Sequence, residues 1–329
     1  MSSPTTPVRI GLVGTGTMGT LHARVIAESL RTELAWVADP RREAGEEVAG
    51  RHGTRWLAEM APDTVDAVVV AAATEHHHRL ALEVLAAGVP LLVEKPLADT
   101  VEHAREIVEA SDRLGVPLMC GFLERYNPAI LTAMEFVERP IHAAANRHSP
   151  YVSRIRTGVS SDLLIHDLDV LLQVFGEQPV GAEGHLGYFH PDSEPGAEDM
   201  ADAIVDFPGG GIGMATASRT SQRKVRTLVI TELDRQIELD LVRQDITIYR
   251  HIGNEALEDS GLGYRQQTVI DIPVIKHQRE PLATQLDRFL DLMDGSIDAD
   301  AERASLLPPH ELLDAVRRSA ARSGAVRPS

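Results

Sequence analysis

Residues 8–23 read VRIGLVGTGTMGTLHA. The first six form an apolar run of the kind found in strands buried on both faces, and from Thr17 onward the spacing is helical. Between them Gly14, Gly16 and Gly19 fall in the order G-x-G-x-x-G. That spacing alone is weak evidence, but a strand before it and a helix after it supply the context the motif needs. Gly14 permits a tight turn, Gly16 lets the backbone approach a pyrophosphate, and Gly19 lets helix and strand pack closely. Thr17 and Met18 open the helix whose N-terminus faces the phosphates.

Working outward, strand and helix patterns alternate through the first 122 residues. LAWVADP (34–40), VDAVVVAAA (65–73), PLLVEKP (90–96) and VPLMCGF (116–122) read as strands, and HHRLALEVLAAG (77–88) and TVEHAREIVEASDRLG (100–115) as helices. Such alternation predicts a doubly wound parallel sheet with helices on both faces. Asp39 ends the second strand, where a carboxylate takes the adenine-ribose hydroxyls of NAD and repels the 2′-phosphate of NADP. Arg41 and Arg42 follow at once and keep NADP as an alternative, Arg42 being taken as the cofactor contact. A dinucleotide fold that has lost its ligand is the competing reading.

After residue 122 the pattern changes. VGAEGHLGYFH (180–190), ADAIVDFPGGGIGMATASR (201–219), RTLVITELDRQIELDL (226–241), DITIYRH (245–251) and QQTVIDIP (266–273) read as strands, with the glycines of FPGGGIG at a hairpin turn. Helices are expected after Asn127, after Ser161, near 281–294 and near 309–323. The expected division is therefore a dinucleotide-binding domain over 1–122 and an α+β domain over 123–329. The second carries a mostly antiparallel open sheet, and its last helix is able to pack back on the first domain.

Bulk composition excludes several classes. The formal net charge is −17, which speaks against nucleic acid and anionic membranes as partners. Aromatics make up 4 %, too few for a single-strand stacking platform. The only cysteine is Cys120, so no disulfide forms within the chain. There is no secretory leader pattern and no apolar run of about 18 residues. These features predict a cytoplasmic protein. The run His76-His77-His78 invites a metal, but consecutive residues rarely converge on one ion and no Cys/His/Asp spacing joins them, so no metal site is expected.

Residues 160–176 read SSDLLIHDLDVLLQVFG. On a regular helix Asp162, His166 and Asp169 share one stripe of an otherwise apolar segment, and Asp167 points away from it. Buried charges are costly unless paired or used. An imidazole in such a setting suits the transfer of a proton near neutrality, and the dehydrogenase chemistry implied by the resemblance given below would have it take a hydroxyl proton. His166 is the candidate base, with Lys95 as the alternative principal base. Asp162, one turn earlier, would orient its ring and stabilise the imidazolium, and Lys95 would stabilise the developing alkoxide. The competing readings are a helix cap or surface pair for Asp162 and His166, and a solvated Lys95. Arg125, Tyr126, Asn127, Arg154 and Arg156 are the candidates for a substrate cleft, since an arginine fork suits a diphosphate; the alternative is an ordinary salt bridge.

Glu94-Lys95-Pro96 at the end of a strand, downstream of a glycine loop, resembles the Gfo/Idh/MocA oxidoreductase family. The resemblance runs nearly end to end, through GLVGTGTMGTLHA, GFLERYNPAI, the D-x-x-x-H-x-x-D pattern of GVSSDLLIHDLDVLL, and REPLATQLDRFLD. Within the family, ERYNP and RHSPYVSRIRTGVSSDLLIHDLD are most like the UDP-N-acetylglucosamine 3-dehydrogenases and related nucleotide-sugar dehydrogenases. One departure is Ala73, which stands where the family often has proline in the loop after the fourth strand. The resemblance implies an NAD-dependent dehydrogenase of a sugar hydroxyl. It places Thr74, His77, Glu94 and Lys95 around the cofactor and gives Asp169 a sugar hydroxyl or a supporting role. It also implies a homodimer or homotetramer built on the strand-rich stretch 200–275. Alternatives within the resemblance are a free-polyol dehydrogenase or ketosugar reductase, a redox-neutral NAD-dependent glycosidase, and a non-catalytic nucleotide sensor. The intact Lys95, Asp162 and His166 set ranks the sensor last.

Overall fold

A computed structural model describes residues 6–152, 155, 157–256, 264–275 and 279–326. The chain forms two compact units. The first comprises residues 1–123 and 280–311, the second 124–279 and 312–329.

The first unit alternates strand and helix: β1 (Val8–Val13), α1 (Thr17–Glu28), β2 (Thr32–Ala38), α2 (Arg42–Arg51), β3 (Arg55–Leu57), β4 (Ala67–Val70), α3 (His77–Ala86), β5 (Leu91–Val93), α4 (Val101–Leu114) and β6 (Leu118–Cys120). The strands pair in parallel in the order β3-β2-β1-β4-β5-β6. This is the doubly wound order, in which ligands bind beyond the carboxyl ends of the strands where the order reverses, here between β1 and β4. Ile10, Leu12, Val69 and Ile26 are fully buried, as a sheet covered on both faces demands.

The first unit also takes in α7 (Pro281–Met293) and α8 (Ala299–Ala304). Leu282, Leu286, Phe289 and Leu290 form one stripe of α7 and join the core cluster of β1, β4 and α1. Each such side chain contributes roughly 1.5–3 kcal/mol when taken from water, so α7 belongs to this core despite its distance in sequence.

The second unit contains α5 (Pro128–Ala133), β7 (His142–His148), α6 (Ile165–Phe175), β8 (Gly181–Gly187), β9 (Met200–Asp206), β10 (Ile212–Ser218), β11 (Val225–Thr231), β12 (Gln236–Asp240), β13 (Asp245–Ala256) and β14 (Tyr264–Asp271). The sheet order is β14-β13-β12-β11-β7-β10-β9-β8, antiparallel except for the β7–β10 pair. Residues 207–211 make the β9–β10 hairpin, with Gly209 and Gly210 at φ 76° and 90°. α9 (Pro308–Ser323) contains the division between the two units.

β7 has no strand signal in the sequence. HAAANRH is alanine-rich and lacks branched side chains. It is nevertheless a central strand, with Ala143 and Ala145 buried on the face that α6 covers. The small side chains admit the helix, so packing outweighs local propensity.

Candidate functional site

In the first unit the glycine loop behaves as its spacing requires. Gly14 has φ +97°, and a Cβ there would lie 2.6 Å from the Ala71 carbonyl oxygen. A Cβ on Gly19 would lie 2.0 Å from the Gly14 carbonyl oxygen. Gly16 has no neighbouring atom within 4 Å of that position, so its backbone stays open to a ligand. No side chain caps the first turn of α1, which leaves its N–H groups for an anion. Beside the loop lies a cavity of about 970 Å³ lined by Gly14, Gly16, Thr17, Met18, Asp39 and Arg41, among others. Size, open backbone and helix terminus together fit a dinucleotide.

Asp39 reaches this cavity, but its carboxylate is engaged. Oδ2 accepts from the Thr15 amide at 2.9 Å, Thr15 Oγ1 at 2.6 Å and Arg41 Nη2 at 2.9 Å; Oδ1 accepts from the Arg41 amide at 2.9 Å and Nε at 3.0 Å. Burial pushes the carboxyl up, but the bonds from Arg41 and Thr15 outweigh it and hold the group well below the ordinary carboxylate range. Arg42 does not line the cavity. It opens α2, donates to Glu46 at 2.9 Å one turn on, and stacks over Trp56. Arg41 is the arginine at the cavity, with its side chain 66 % exposed.

Thr74 opens a short 3₁₀ turn and is not among the residues lining the cavity, whereas Ala73 and His76 are. His77 is buried. Its Nδ1 lies 2.9 Å from the Pro96 carbonyl oxygen and its Nε2 3.0 Å from that of Ala72. It therefore ties the loop after β4 to the loop after β5 and does not face the cavity. Desolvation lowers its pKa, against the pull of both carbonyls. Glu94 is likewise buried, and His22 Nε2 meets its Oε1 at 2.7 Å. Lys95 is half-buried on the loop following β5, at the carboxyl edge of the parallel sheet, and its amide donates to Glu94 Oε2 at 3.2 Å.

In the second unit the segment before α6 is not regular. Residues Ser160–Leu164 form a π-helical turn. Its start is held by the Glu198 carboxylate, which accepts from the Ser160 amide at 2.8 Å, and by Arg317, which donates to the hydroxyls of Ser160 and Ser161. A π turn breaks the 100° step, and such turns recur at functional sites. His166, in the first turn of α6, is half-buried.

The acids of this segment do not share one task; each meets a different arginine. Asp162 Oδ2 accepts from Arg219 Nη2 at 2.5 Å. Asp167 takes a fork from Arg147, with Nε at 2.9 Å and Nη2 at 2.8 Å, and Arg147 Nη1 donates to Glu124 at 2.7 Å. Burial raises the Glu124 carboxyl, but Arg147 more than offsets this and the group sits below its ordinary value. Asp169 takes a fork from Arg125, with Nε at 2.9 Å and Nη2 at 2.6 Å, and is fully buried. Burial raises the Asp169 carboxyl against the pull of Arg125.

Four residues offered to the substrate are engaged or buried within the protein. Asp169 and Arg125 bind each other, because a fully buried carboxylate needs a charged partner. Asn127 is a helix cap: its Oδ1 accepts from the Ala129 amide at 3.0 Å, and its Nδ2 donates to Glu124 and to the Leu241 carbonyl. Tyr126 is buried in the preceding turn. Arg154 and Arg156 lie outside the described residues. Thr15 and Arg219 were missed by sequence reasoning. Thr15 has a local signal in its place within the glycine loop, but Arg219 is 57 residues from Asp162 and has none. Among the described residues no group of three or more His, Cys, Asp or Glu is arranged to hold a metal ion, and no helix is long and apolar enough to cross a membrane.

Comparison with known proteins follows the same division. Residues 8–122 match the oxidoreductase family with an NAD-binding Rossmann fold, and residues 136–235 match the GFO/IDH/MocA C-terminal domain. The UDP-N-acetylglucosamine 3-dehydrogenase of Acidithiobacillus ferrooxidans is 28 % identical over 293 residues, covering 86 % of this chain and 88 % of that protein. Its solved structure superposes with a TM-score of 0.80 at 27 % identity, covering 96 % of this chain and 99 % of that one. The scyllo-inositol 2-dehydrogenase (NAD(+)) of Bacillus subtilis is 25 % identical over 314 residues, covering 88 % of this chain and 92 % of that protein. The NAD complex of GenD2 from gentamicin A biosynthesis shares the fold, with a TM-score of 0.82 at 22 % identity over 98 % of this chain and 97 % of that one. With both of its domains matched and its doubly wound strand order in place, the chain belongs to the Gfo/Idh/MocA family of NAD-binding oxidoreductases.

Proposed function

We propose that the chain oxidises a secondary hydroxyl of a sugar, most favourably a nucleotide sugar, with NAD. The observation that carries this reading is the dinucleotide-sized cavity at the glycine loop of the first unit; the second unit supplies His166 in the first turn of α6, one turn after the Arg219-bound Asp162. The full-length likeness to a UDP-N-acetylglucosamine 3-dehydrogenase supports the sugar class.

Gly14, Gly16 and the N-terminus of α1 hold the pyrophosphate, and Asp39 takes the adenine ribose after its Arg41 contacts give way. Acceptance of a hydride is the chemistry that the nicotinamide supplies when bound. His166 takes the proton of the reacting hydroxyl. Asp162, paired with Arg219, favours the imidazolium so formed. The Lys95 ammonium donates to the reacting oxygen and stabilises the alkoxide. His77 and Glu94 are positioning residues that fix the loops on either side of Lys95. The homo-oligomer expected over 200–275 would use the outer sheet face, where Ile204, Ile212 and Met214 are each more than 40 % exposed. Light scattering giving a monomer removes that part of the proposal.

The test is near-ultraviolet absorbance of reduced nicotinamide, with NAD or NADP against UDP-, GDP- and dTDP-sugars, inositol and free hexoses. A rise with a nucleotide sugar supports the reading. A rise with free polyols alone replaces the substrate class, and no rise with any of them counts against oxidation of a sugar.

A further inference from the structure

The buried Asp167–Arg147–Glu124 network continues along the sheet into two more cations. Arg226 stands opposite Arg147 in the β7–β11 pairing. Lys224 lies just before β11, two residues from Arg226, and the charge of Arg226 acts on it more strongly than any other. Arg226 Nη1 lies 3.3 Å from Glu124 Oε1, an oxygen that already accepts from Arg147 at 2.7 Å. Lys224 is exposed, and among the described residues its ammonium has no ion-pair partner.

The carboxylates here are largely committed elsewhere: Asp162 to Arg219, Asp169 to Arg125 and Asp167 to Arg147, while Glu124 is shared between Arg147 at 2.7 Å and Arg226 at 3.3 Å. Cations outnumber them, in a chain whose net charge is −17. The charge of Arg226, and then burial, hold the Lys224 ammonium below its ordinary range. The carboxylate of Asp162 acts in turn on Arg226, so the pair lies within electrostatic reach of the turn before α6. Like charges placed side by side cost free energy that a bound anion recovers. A guanidinium beside an ammonium is the donor set of a phosphate site.

We propose that Lys224 and Arg226 form an anion subsite beside the His166 helix that receives a phosphoryl group of the substrate. This rests on the reading that the substrate is a sugar, and it assigns to these two residues the role the sequence had offered to Arg125.

The test is calorimetric titration of the NAD-saturated protein with UDP, glucose 1-phosphate and glucuronate. UDP should bind more weakly as salt rises, and Lys224→Ala and Arg226→Gln should each lower its affinity about tenfold. Affinity for NAD should not change, and Arg226→Lys should retain most of the binding. Lys224→Ala removes no ion pair, so its folding is not in question. UDP alone binding identifies a nucleoside diphosphate, and glucose 1-phosphate binding equally well identifies a phosphate ester; both support the subsite. Absence of phosphate binding, binding unchanged in both variants, or binding of glucuronate alone overturns it. Sugar oxidation insensitive to both substitutions removes the subsite and leaves the proposed function standing; loss of UDP binding in a protein that oxidises no sugar does the reverse.

Discussion

The glycine loop and the turn before α6 both concentrate chemistry, and they do so by different means. In the loop the backbone does most of the work. Gly14, Gly16 and Gly19 act through a left-handed φ, an open approach and a contact that leaves no room for a Cβ. In the turn before α6 and in α6 itself the side chains do the work, and each depends on a partner from a distant strand or turn. Asp162 meets Arg219, Asp167 meets Arg147 and Asp169 meets Arg125. A backbone motif carries its meaning in a few consecutive residues, whereas the meaning of a buried carboxylate lies in whatever cation the fold brings to it.

Substitution separates the two regions. The largest effect is expected on turnover. Lys95→Ala and His166→Ala should each lower kcat by roughly 10²–10⁴-fold, with NAD affinity by fluorescence titration unchanged. Near-normal rates in both would remove the proposed acid–base assignment.

Arg147→Ala comes next. It leaves Asp167 and Glu124 buried without their cation and should cost about 3–5 kcal/mol by urea denaturation. A loss below about 1 kcal/mol would mean that this network is not the anchor of α6.

The two glycines should part company. Gly19→Ala forces a Cβ against the Gly14 carbonyl and should cost about 1–3 kcal/mol as well as NAD affinity. Gly16→Ala meets open space, so the thermal midpoint should hardly move while NAD binds more weakly. Equal stability losses in both would show that the loop is not read by contact distance.

The smallest effect is on acid stability. Asp39 has a lowered folded pKa, so its contribution is complete above its ordinary value and lost as pH falls below about 4. Asp39→Asn should flatten the decline in stability between about pH 4 and pH 2 and leave the slope above pH 5 untouched. A parallel curve would place the acid sensitivity elsewhere.

Much of the first unit was legible because parallel strands are continuous apolar runs and the glycine spacing names its own geometry. Arg42 was less legible within that same stretch: it begins α2 and turns to Glu46 and Trp56, and Arg41 is the arginine that lines the cavity. Legibility fell in the second unit. The 100° stripe joining Asp162, His166 and Asp169 assumed a regular helix, and the π turn at Ser160–Leu164 breaks it. β7 was invisible because alanines carry no strand signal, and Asn127 was read as a substrate contact although Pro128 after it marks a helix cap.

By itself the sequence determined the doubly wound domain, the dinucleotide loop, the mostly antiparallel second sheet, and Lys95, Asp162 and His166 as the residues to test. These rest on periodicity and on spacing among neighbours. Only the tertiary structure decided which charges are consumed in holding the fold and which remain for a ligand. Arg125 and Asp169 belong to the first class, and Lys224 and Arg226 are the pair proposed for the second. The reason is that pairing acts through space over a few ångströms, between residues that the chain leaves dozens of positions apart.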